Sequence, residues 1–321
     1  MFTGRAGSPS TRAVCFTRIR EADADLAAGV DDLARGACSF VGVEPDDDRR
    51  TGYGRTVGTM RFQGKVVLLF GGGMAGGAHS NGSAAAVSYA REGAHVVVVD
   101  RIEASARSAV EQILADGGTA LAICSDVTSE DDVRRVVTST VAQFGTIDVL
   151  HNNVGTTQMG LPPDLELDDW NSSMAINLGS VFLSCKYVLP VMVEQGHGAI
   201  VNISSLAALR DTGYPYPAYS AAKAAVNQLT VTLALQYARH GIRVNAVAPG
   251  IIDSPFIYRE ISSQYETVEE MVRARNEMTP NGKMGTPWDV AEASLFLASD
   301  AAGFISGVIL PVDGGQHMRA R

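Results

Sequence analysis

Lysine is scarce in this chain. Lys65, Lys186, Lys223 and Lys283 are the four present, against 35 acidic residues and a formal net charge of −9. That balance argues against nucleic acid or an anionic membrane surface as the main partner. Cysteine is also sparse. Cys15, Cys38, Cys124 and Cys185 form no CxxC or other close pair, so the expectation is reduced thiols in a cytoplasmic protein. The six histidines include no HExxH and no ligand cluster, and no metal site is expected. No apolar run approaches the roughly 18 residues of a membrane-spanning helix. Aromatic residues make up 7% of the chain, while glycines number 33. A chain of 321 residues has ample material for a core, as one large domain or two ordinary ones.

Residues 1–59 differ from everything that follows. They carry eight arginines, nine acids, no lysine and a DDDRR run at 46–50. An organellar presequence is one reading of the arginine-bearing first twenty residues, but the acids from Glu21 onward oppose it. The expectation is an extension, disordered or mis-assigned, with Met60 as the natural start. Residues 60–321 then form the folded domain.

From Lys65 the pattern becomes an α/β alternation. The apolar run Val66–Phe70 meets a glycine-rich loop, Gly71 to Gly82, followed by a helical stretch at 83–92 and a second strand at 95–99 that ends on Asp100. This is the order of a dinucleotide-binding βαβ unit. Glycines let the backbone approach a pyrophosphate, and the helix N-terminus presents free N–H groups. Asp100 stands near the distance expected of a carboxylate that binds a ribose 2′-hydroxyl, favouring NAD over NADP, with Arg101 beside it keeping NADP open. Further strands are expected at 120–124, 147–151, 199–203, 242–247 and 308–312. Helices are expected at 104–115, 129–144, 168–194, 218–240 and 289–298. Such a schedule implies a doubly wound parallel sheet of Rossmann type, with ligands at the strand C-terminal edge.

Tyr219 and Lys223 are four apart on one of these helices and so share a face. An ammonium beside a phenol lowers the phenol's pKa. Reaching neutrality from about 10 takes roughly three units, or about 4 kcal/mol. A charge about 4 Å away at an effective dielectric near 20 supplies about that much. Alone, the pair is a common coincidence on helices.

Taken together, the residues resemble the short-chain dehydrogenase/reductase family across nearly all of residues 62–316. The matching pieces are the glycine loop, Asp126-Val127, Asn152-Asn153-Val154-Gly155, Asn177, Ser204-Ser205, Tyr219-xxx-Lys223, Pro249-Gly250 and Val312-Asp313-Gly314-Gly315. The loop is similar to a long-loop branch that ends in a Gly-Asn-Gly element, read here as Ser80-Asn81-Gly82. The resemblance implies that Tyr219 is the acid/base, that Lys223 lowers its pKa and bonds the nicotinamide ribose, that Ser205 polarises the substrate oxygen, and that Asn177 helps retain a relay water. Ser204 is the rival for the hydroxyl role. Cofactor contacts are implied for Gly71, Gly73, Asn81, Gly82, Asp100 and Arg101, and for Asp126, Val127, Asn153 and Gly155. Tyr219, Lys223, Pro249, Gly250, Ile252 and Ser254 complete that set. Two departures stand out. Phe70 replaces a usual threonine, and Ser80 replaces a glycine, whose added Cβ is expected to weaken cofactor binding.

The substrate is expected over Tyr219 and Ser205, framed by 158–161, 206–217 and a lid at 254–285. Leu206, Leu209, Tyr214, Phe256, Ile257 and Tyr258 suggest an apolar pocket, with Arg210 and Arg259 able to reach in. The implied activity is NAD-dependent interconversion of a secondary alcohol, cyclic in one reading, and a ketone. Alternatives are an NADPH-dependent 3-oxoacyl thioester reductase and a catalytically idle nucleotide-binding scaffold. Relatives are commonly tetramers or dimers, so the resemblance implies a homo-oligomer.

Overall fold

The computed structural model describes residues 60–74 and 76–319. The expectations for residues 1–59 lie outside the described residues.

The first strand, β1 (Val66–Phe70), is buried along its whole length. Such a run, apolar at every position, suits a strand covered on both faces. It pairs in parallel with β2 (His95–Asp100) on one side and β4 (Val149–Asn152) on the other. With β3 (Thr119–Cys124), β5 (Gly198–Ile203), β6 (Ile242–Pro249) and β7 (Ile309–Val312), these make a seven-stranded sheet of order β3-β2-β1-β4-β5-β6-β7. The chain moves outward from β1 to β3, then returns to β4 on the far side of β1. That reversal opens a crevice at the carboxyl ends of β1 and β4.

Side chains alternate across the sheet with the period of two that strands impose. Val67 and Leu69 pack on one face with α1 (Asn81–Arg91), α2 (Glu103–Ala115) and α9 (Pro287–Ala298). Leu68 and Phe70 pack on the other with α3 (Glu130–Phe144), α5 (Ser180–Gln195) and α6 (Pro217–Tyr237). Phe70 is thus a core residue, 2% exposed, on the face opposite α1.

The expected single helix at 168–194 is interrupted. Between α4 (Leu167–Met174) and α5 the chain makes a π-helical turn, Ala175–Gly179. The turn holds no proline and has helix on both sides, so no proline break announces it in the sequence. The Asn177 amide nitrogen donates to the Ser173 carbonyl at 2.9 Å and stabilises the turn. The stretch Leu167–Gln195 is also long and apolar enough by composition to cross a membrane, contrary to the reading from apolar runs. Much of that hydrophobicity is spent in the core, where Val181, Val188, Leu189 and Met192 are buried.

The 254–285 segment, expected as a lid without clean strand character, is largely helical. It contains α7 (Pro255–Glu260) and α8 (Val268–Met278), and returns to β6's end through the pairing of Ile252 with Gly285. Thr267 starts α8 by accepting a hydrogen bond from the Glu270 N–H at 3.1 Å, a side-chain N-cap.

A buried polar chain ties the strands to the helices on the α5/α6 face. The Ser184 hydroxyl donates to Asn152 Oδ1 (2.8 Å), Asn152 Nδ2 to Asn202 Oδ1 (2.9 Å), and Asn202 Nδ2 to Thr230 Oγ1 (2.9 Å). The Thr230 hydroxyl in turn donates to the Val226 carbonyl at 2.8 Å. Each member is satisfied, which is what allows amides to sit in a core.

Candidate active site

A cavity of about 740 Å³ runs along the carboxyl edge of the sheet, from Asp100 and Asp126 at one end to Tyr219, Arg275 and Met278 at the other. At the first end, β1 hands over to Gly71 at φ 79°, a left-handed conformation that favours glycine. Gly82 lies so close beneath this turn that a Cβ would stand 2.0 Å from the Gly71 carbonyl oxygen. The Asn153 amide fastens the same carbonyl at 2.8 Å. Gly71, Gly73 and Asn81 line the cavity, while Gly82 packs behind it.

Ser80 does not need to be glycine. Its φ of −82° is ordinary extended backbone, and it is the N-cap of α1. Its oxygen accepts from the Ser83 N–H at 3.1 Å, and its hydroxyl bonds the Gly73 carbonyl at 3.0 Å. Ser83 returns a bond to the Ser80 N–H at 2.8 Å, completing a capping box. The residue that departs from the family pattern braces the loop rather than crowding it. Phe70 is absent from the cavity wall.

The Asp100 carboxylate accepts from the Gly73 N–H at 3.1 Å and the Ile102 N–H at 3.0 Å. Arg101 beside it is exposed and also borders the cavity. Asp126, Val127, Asn153 and Gly155 follow along the wall, then Pro249, Gly250, Ile252 and Ser254. Four side-chain atoms of the cavity's lining residues are buried without a hydrogen-bond partner: Asn81 Oδ1, Ser125 Oγ and Gln316 Oε1 here, and Arg275 Nε at the far end. Buried polar groups are normally satisfied. Idle acceptors and donors along an elongated cleft, beside a glycine turn and a helix N-terminus, fit a polar, phosphate-bearing ligand such as a dinucleotide.

At the other end, α6 carries Tyr219 and Lys223, both buried. The Lys223 ammonium donates to the Ile203 carbonyl at 2.8 Å and to the Val154 carbonyl at 3.4 Å, and stands 5.8 Å from the Tyr219 ring centre. Its neighbour Gly155 leaves little room, since a Cβ there would lie 3.2 Å from Asn177 Oδ1 and 3.4 Å from the ammonium. Ser205 faces the Tyr219 phenol and also accepts from the Ala207 N–H at 3.1 Å. Ser204 is buried and bonds the Lys223 backbone carbonyl at 3.4 Å. Asn177 is fully buried, outside the cavity wall. Its amide bonds both the N–H and the carbonyl of Thr156, at 3.1 and 3.0 Å.

The expected lowering of the phenol pKa is not what this arrangement gives. Burial pushes Tyr219 up to about 12, against a downward pull from the Ser205 hydroxyl. Burial also depresses Lys223, to about 8. The ammonium spends itself on two backbone carbonyls rather than on the phenol, so desolvation wins.

The substrate-side wall needs several corrections. Leu206, Tyr214, Phe256 and Ile257 line the cavity, but Leu209, Tyr258 and the 158–161 stretch do not. Arg210 turns away to the His317 carbonyl at 3.0 Å, while Arg259 lines the wall and pairs with Glu260 at 2.6 Å. Two functional candidates were not evident in the sequence. Glu260 bonds the Thr157 N–H at 3.2 Å and hydroxyl at 3.0 Å, pinning α7 to the loop after β4. Arg275, on α8, reaches the cavity with little exposure. Only tertiary folding shows which way each points.

Comparison with known proteins agrees with this geometry. A family profile described as enoyl-(acyl carrier protein) reductase matches residues 76–317. The 2,5-dichloro-2,5-cyclohexadiene-1,4-diol dehydrogenase LinX of Sphingobium indicum is 36% identical over 255 residues, covering 79% of this chain and 97% of the relative. A short-chain dehydrogenase/reductase structure from Burkholderia xenovorans superposes with a TM-score of 0.76 at 42% identity, covering 81% of this chain and 99% of the other. Levodione reductase gives a TM-score of 0.76 at 32% identity, covering 81% and 100%. The chain therefore belongs to the short-chain dehydrogenase/reductase family, as an alcohol dehydrogenase/ketoreductase.

Proposed function

We propose that this protein binds NAD in the glycine-loop half of the cavity and interconverts a secondary alcohol and a ketone at Tyr219. The carrying observation is the placement of Tyr219, Ser205 and Lys223 on one wall of a cavity whose other end holds Asp100. The Asp100 carboxylate suits ribose hydroxyls and repels a 2′-phosphate, which favours NAD over NADP. Gly71, Gly73, Asn81 and Gly82 form the pyrophosphate side, and Asp126, Val127, Asn153 and Gly155 the adenosine side. Pro249, Gly250, Ile252 and Ser254 border the nicotinamide.

The dinucleotide, when bound, supplies or accepts the hydride. The residues manage the oxygen. Ser205 donates to the substrate oxygen and fixes it before Tyr219. A phenol with a pKa of about 12 is protonated at neutral pH, so it is loaded to protonate an alkoxide during ketone reduction. Lys223 backs the phenol and bonds the ribose. Asn177 holds the Gly155–Thr156 loop against Lys223, where a relay water reaches the ammonium. The name of LinX, a cyclic diol dehydrogenase, supports a cyclic secondary alcohol as substrate. A cytoplasmic setting and assembly through the exposed apolar residues of α5 and α6, Phe182 and Leu235, belong to the same reading.

NADH titration followed by a screen of cyclic and linear ketones tests it. Wild type binds NADH and oxidises it with at least one ketone. Tyr219→Phe keeps NADH affinity within about twofold but loses turnover by about 10³-fold or more; a Tyr219→Phe enzyme that retains activity overturns the assignment.

A further inference from the structure

Arg275 is 5% exposed, and among the described residues no carboxylate lies within ion-pairing distance of its guanidinium. Arginine does not shed its charge on burial as lysine does. A buried charge is ordinarily paired, because an unpaired one forfeits its hydration for nothing. Here the neighbours are phenols. Arg275 Nη1 donates to Tyr214 Oη at 2.9 Å, and its guanidinium lies 5.8 Å from the Tyr214 ring centre. Tyr214 Oη in turn shares a 2.6 Å hydrogen bond with Tyr265 Oη. Arg275 Nε is buried without any partner.

The position of this lone cation matters. Arg275 lines the same cavity as Tyr219. Tyr214, Tyr216 and Tyr219 form a row of ring contacts, 5.7 Å and then 5.4 Å apart, that leads from the guanidinium to the reacting phenol. A ligand lying along this row has an apolar aromatic wall beneath it, a hydroxyl pair at one end and a guanidinium at the other. A planar anion in the cavity supplies the counter-charge that the phenols do not. A neutral apolar substrate leaves the charge of the guanidinium unpaired.

We propose that Arg275 is a specificity-determining residue that binds a carboxylate on the substrate, so that the enzyme acts on secondary alcohols or ketones carrying a remote acid group. This rests on the oxidoreductase reading above and sharpens its substrate class. Tyr214 and Tyr265 hold the guanidinium in place.

The test compares 3-oxocyclohexane-1-carboxylate with its methyl ester, following NADH consumption by wild type, Arg275→Met and Arg275→Lys. Wild type has a kcat/KM at least ten times higher for the acid. Arg275→Met loses about a hundredfold on the acid, chiefly in KM, and little on the ester. Arg275→Lys recovers part of the preference. A merely structural arginine lowers both substrates together, and that result, or equal wild-type use of acid and ester, overturns the proposal. If Arg275→Met does not fold, wild type alone decides: calorimetry with cyclohexanecarboxylate gives a Kd at least tenfold lower than with cyclohexanecarboxamide, and equal Kd values refute the acid site. If no ketone consumes NADH, the oxidoreductase reading fails, while the same calorimetry still judges Arg275.

Discussion

His151 makes the protein acid-sensitive through its stability rather than its chemistry. It sits in β4, 1% exposed, with Nδ1 3.4 Å from the Tyr89 hydroxyl and Nε2 buried without a partner. Desolvation pushes its pKa down from 6.5 to about 3. The unfolded chain takes up a proton at this histidine below about pH 6.5, whereas the folded chain refuses it until about pH 3. Stability is therefore lost as the pH falls through that window, at about 1.4 kcal/mol per pH unit. The loss at pH 5 is about 2 kcal/mol, and over the whole window about 5 kcal/mol. A typical domain has only about 5–15 kcal/mol to lose. Replacing His151 with Gln removes the titrating ring while leaving Tyr89 a polar neighbour. Urea unfolding of both proteins at pH 7, 6 and 5 measures the difference. Wild type should lose about 2 kcal/mol more than His151→Gln between the ends of that series, and parallel losses would refute the reasoning.

Lys223 acts in the same direction, in a more alkaline window. Its pKa is lowered to about 8, so wild-type stability relative to Lys223→Met should rise between about pH 8 and 10, by up to about 3 kcal/mol; a flat difference in denaturation midpoints contradicts this. Above about pH 10 the difference should level off, because the lysine of the unfolded chain has by then lost its proton as well. Ser80→Ala, which removes the α1 cap, should cost about 1 kcal/mol, and Ser80→Gly only a few tenths; thermal unfolding checks the order, and a gain in NADH affinity for Ser80→Gly would restore the crowding argument. Asp100→Ala should narrow the preference for NAD over NADP by about tenfold or more, and unchanged relative kcat/KM values would assign the choice to Arg101 or the loop.

The sheet was legible because its signals are local. Val66–Phe70 and Val96–Val99 are apolar at every position, and a glycine run between them has few other uses. The spacing of Tyr219 and Lys223 likewise puts them on one helical face without any knowledge of the fold. The π turn at Ala175–Gly179 was hidden because it holds no proline and continues directly from α4 into α5. Arg275 and Glu260 were hidden for a different reason. The lid segment is a mixture of charges and apolar residues, and only the docking of α7 and α8 against the body decides which charges turn inward. The phenol pKa was misjudged because sequence gives the four-residue spacing but neither the depth of burial nor the carbonyls of Ile203 and Val154 that claim the ammonium. Ser80 was misread by analogy: a position that is often glycine is here satisfied by a capping serine at an ordinary φ.

The chain of amides and hydroxyls from Ser184 to Val226 has a direction. Every proton in it points from α5 towards α6, and each asparagine uses its nitrogen on one side and its oxygen on the other. Turning Asn152 alone sets oxygen against oxygen, and turning Asn202 alone sets nitrogen against nitrogen, so neither amide turns without the other. α5, which follows the turn that holds Asn177, and α6, which carries the Tyr219–Lys223 pair, are thereby clamped to β4 and β5 as one block. Deamidation of Asn152 or Asn202 would replace a donor with a carboxylate facing another acceptor, and this would strike catalytic alignment and folding together. The burial that makes the clamp rigid also keeps both amides away from the water that such damage requires.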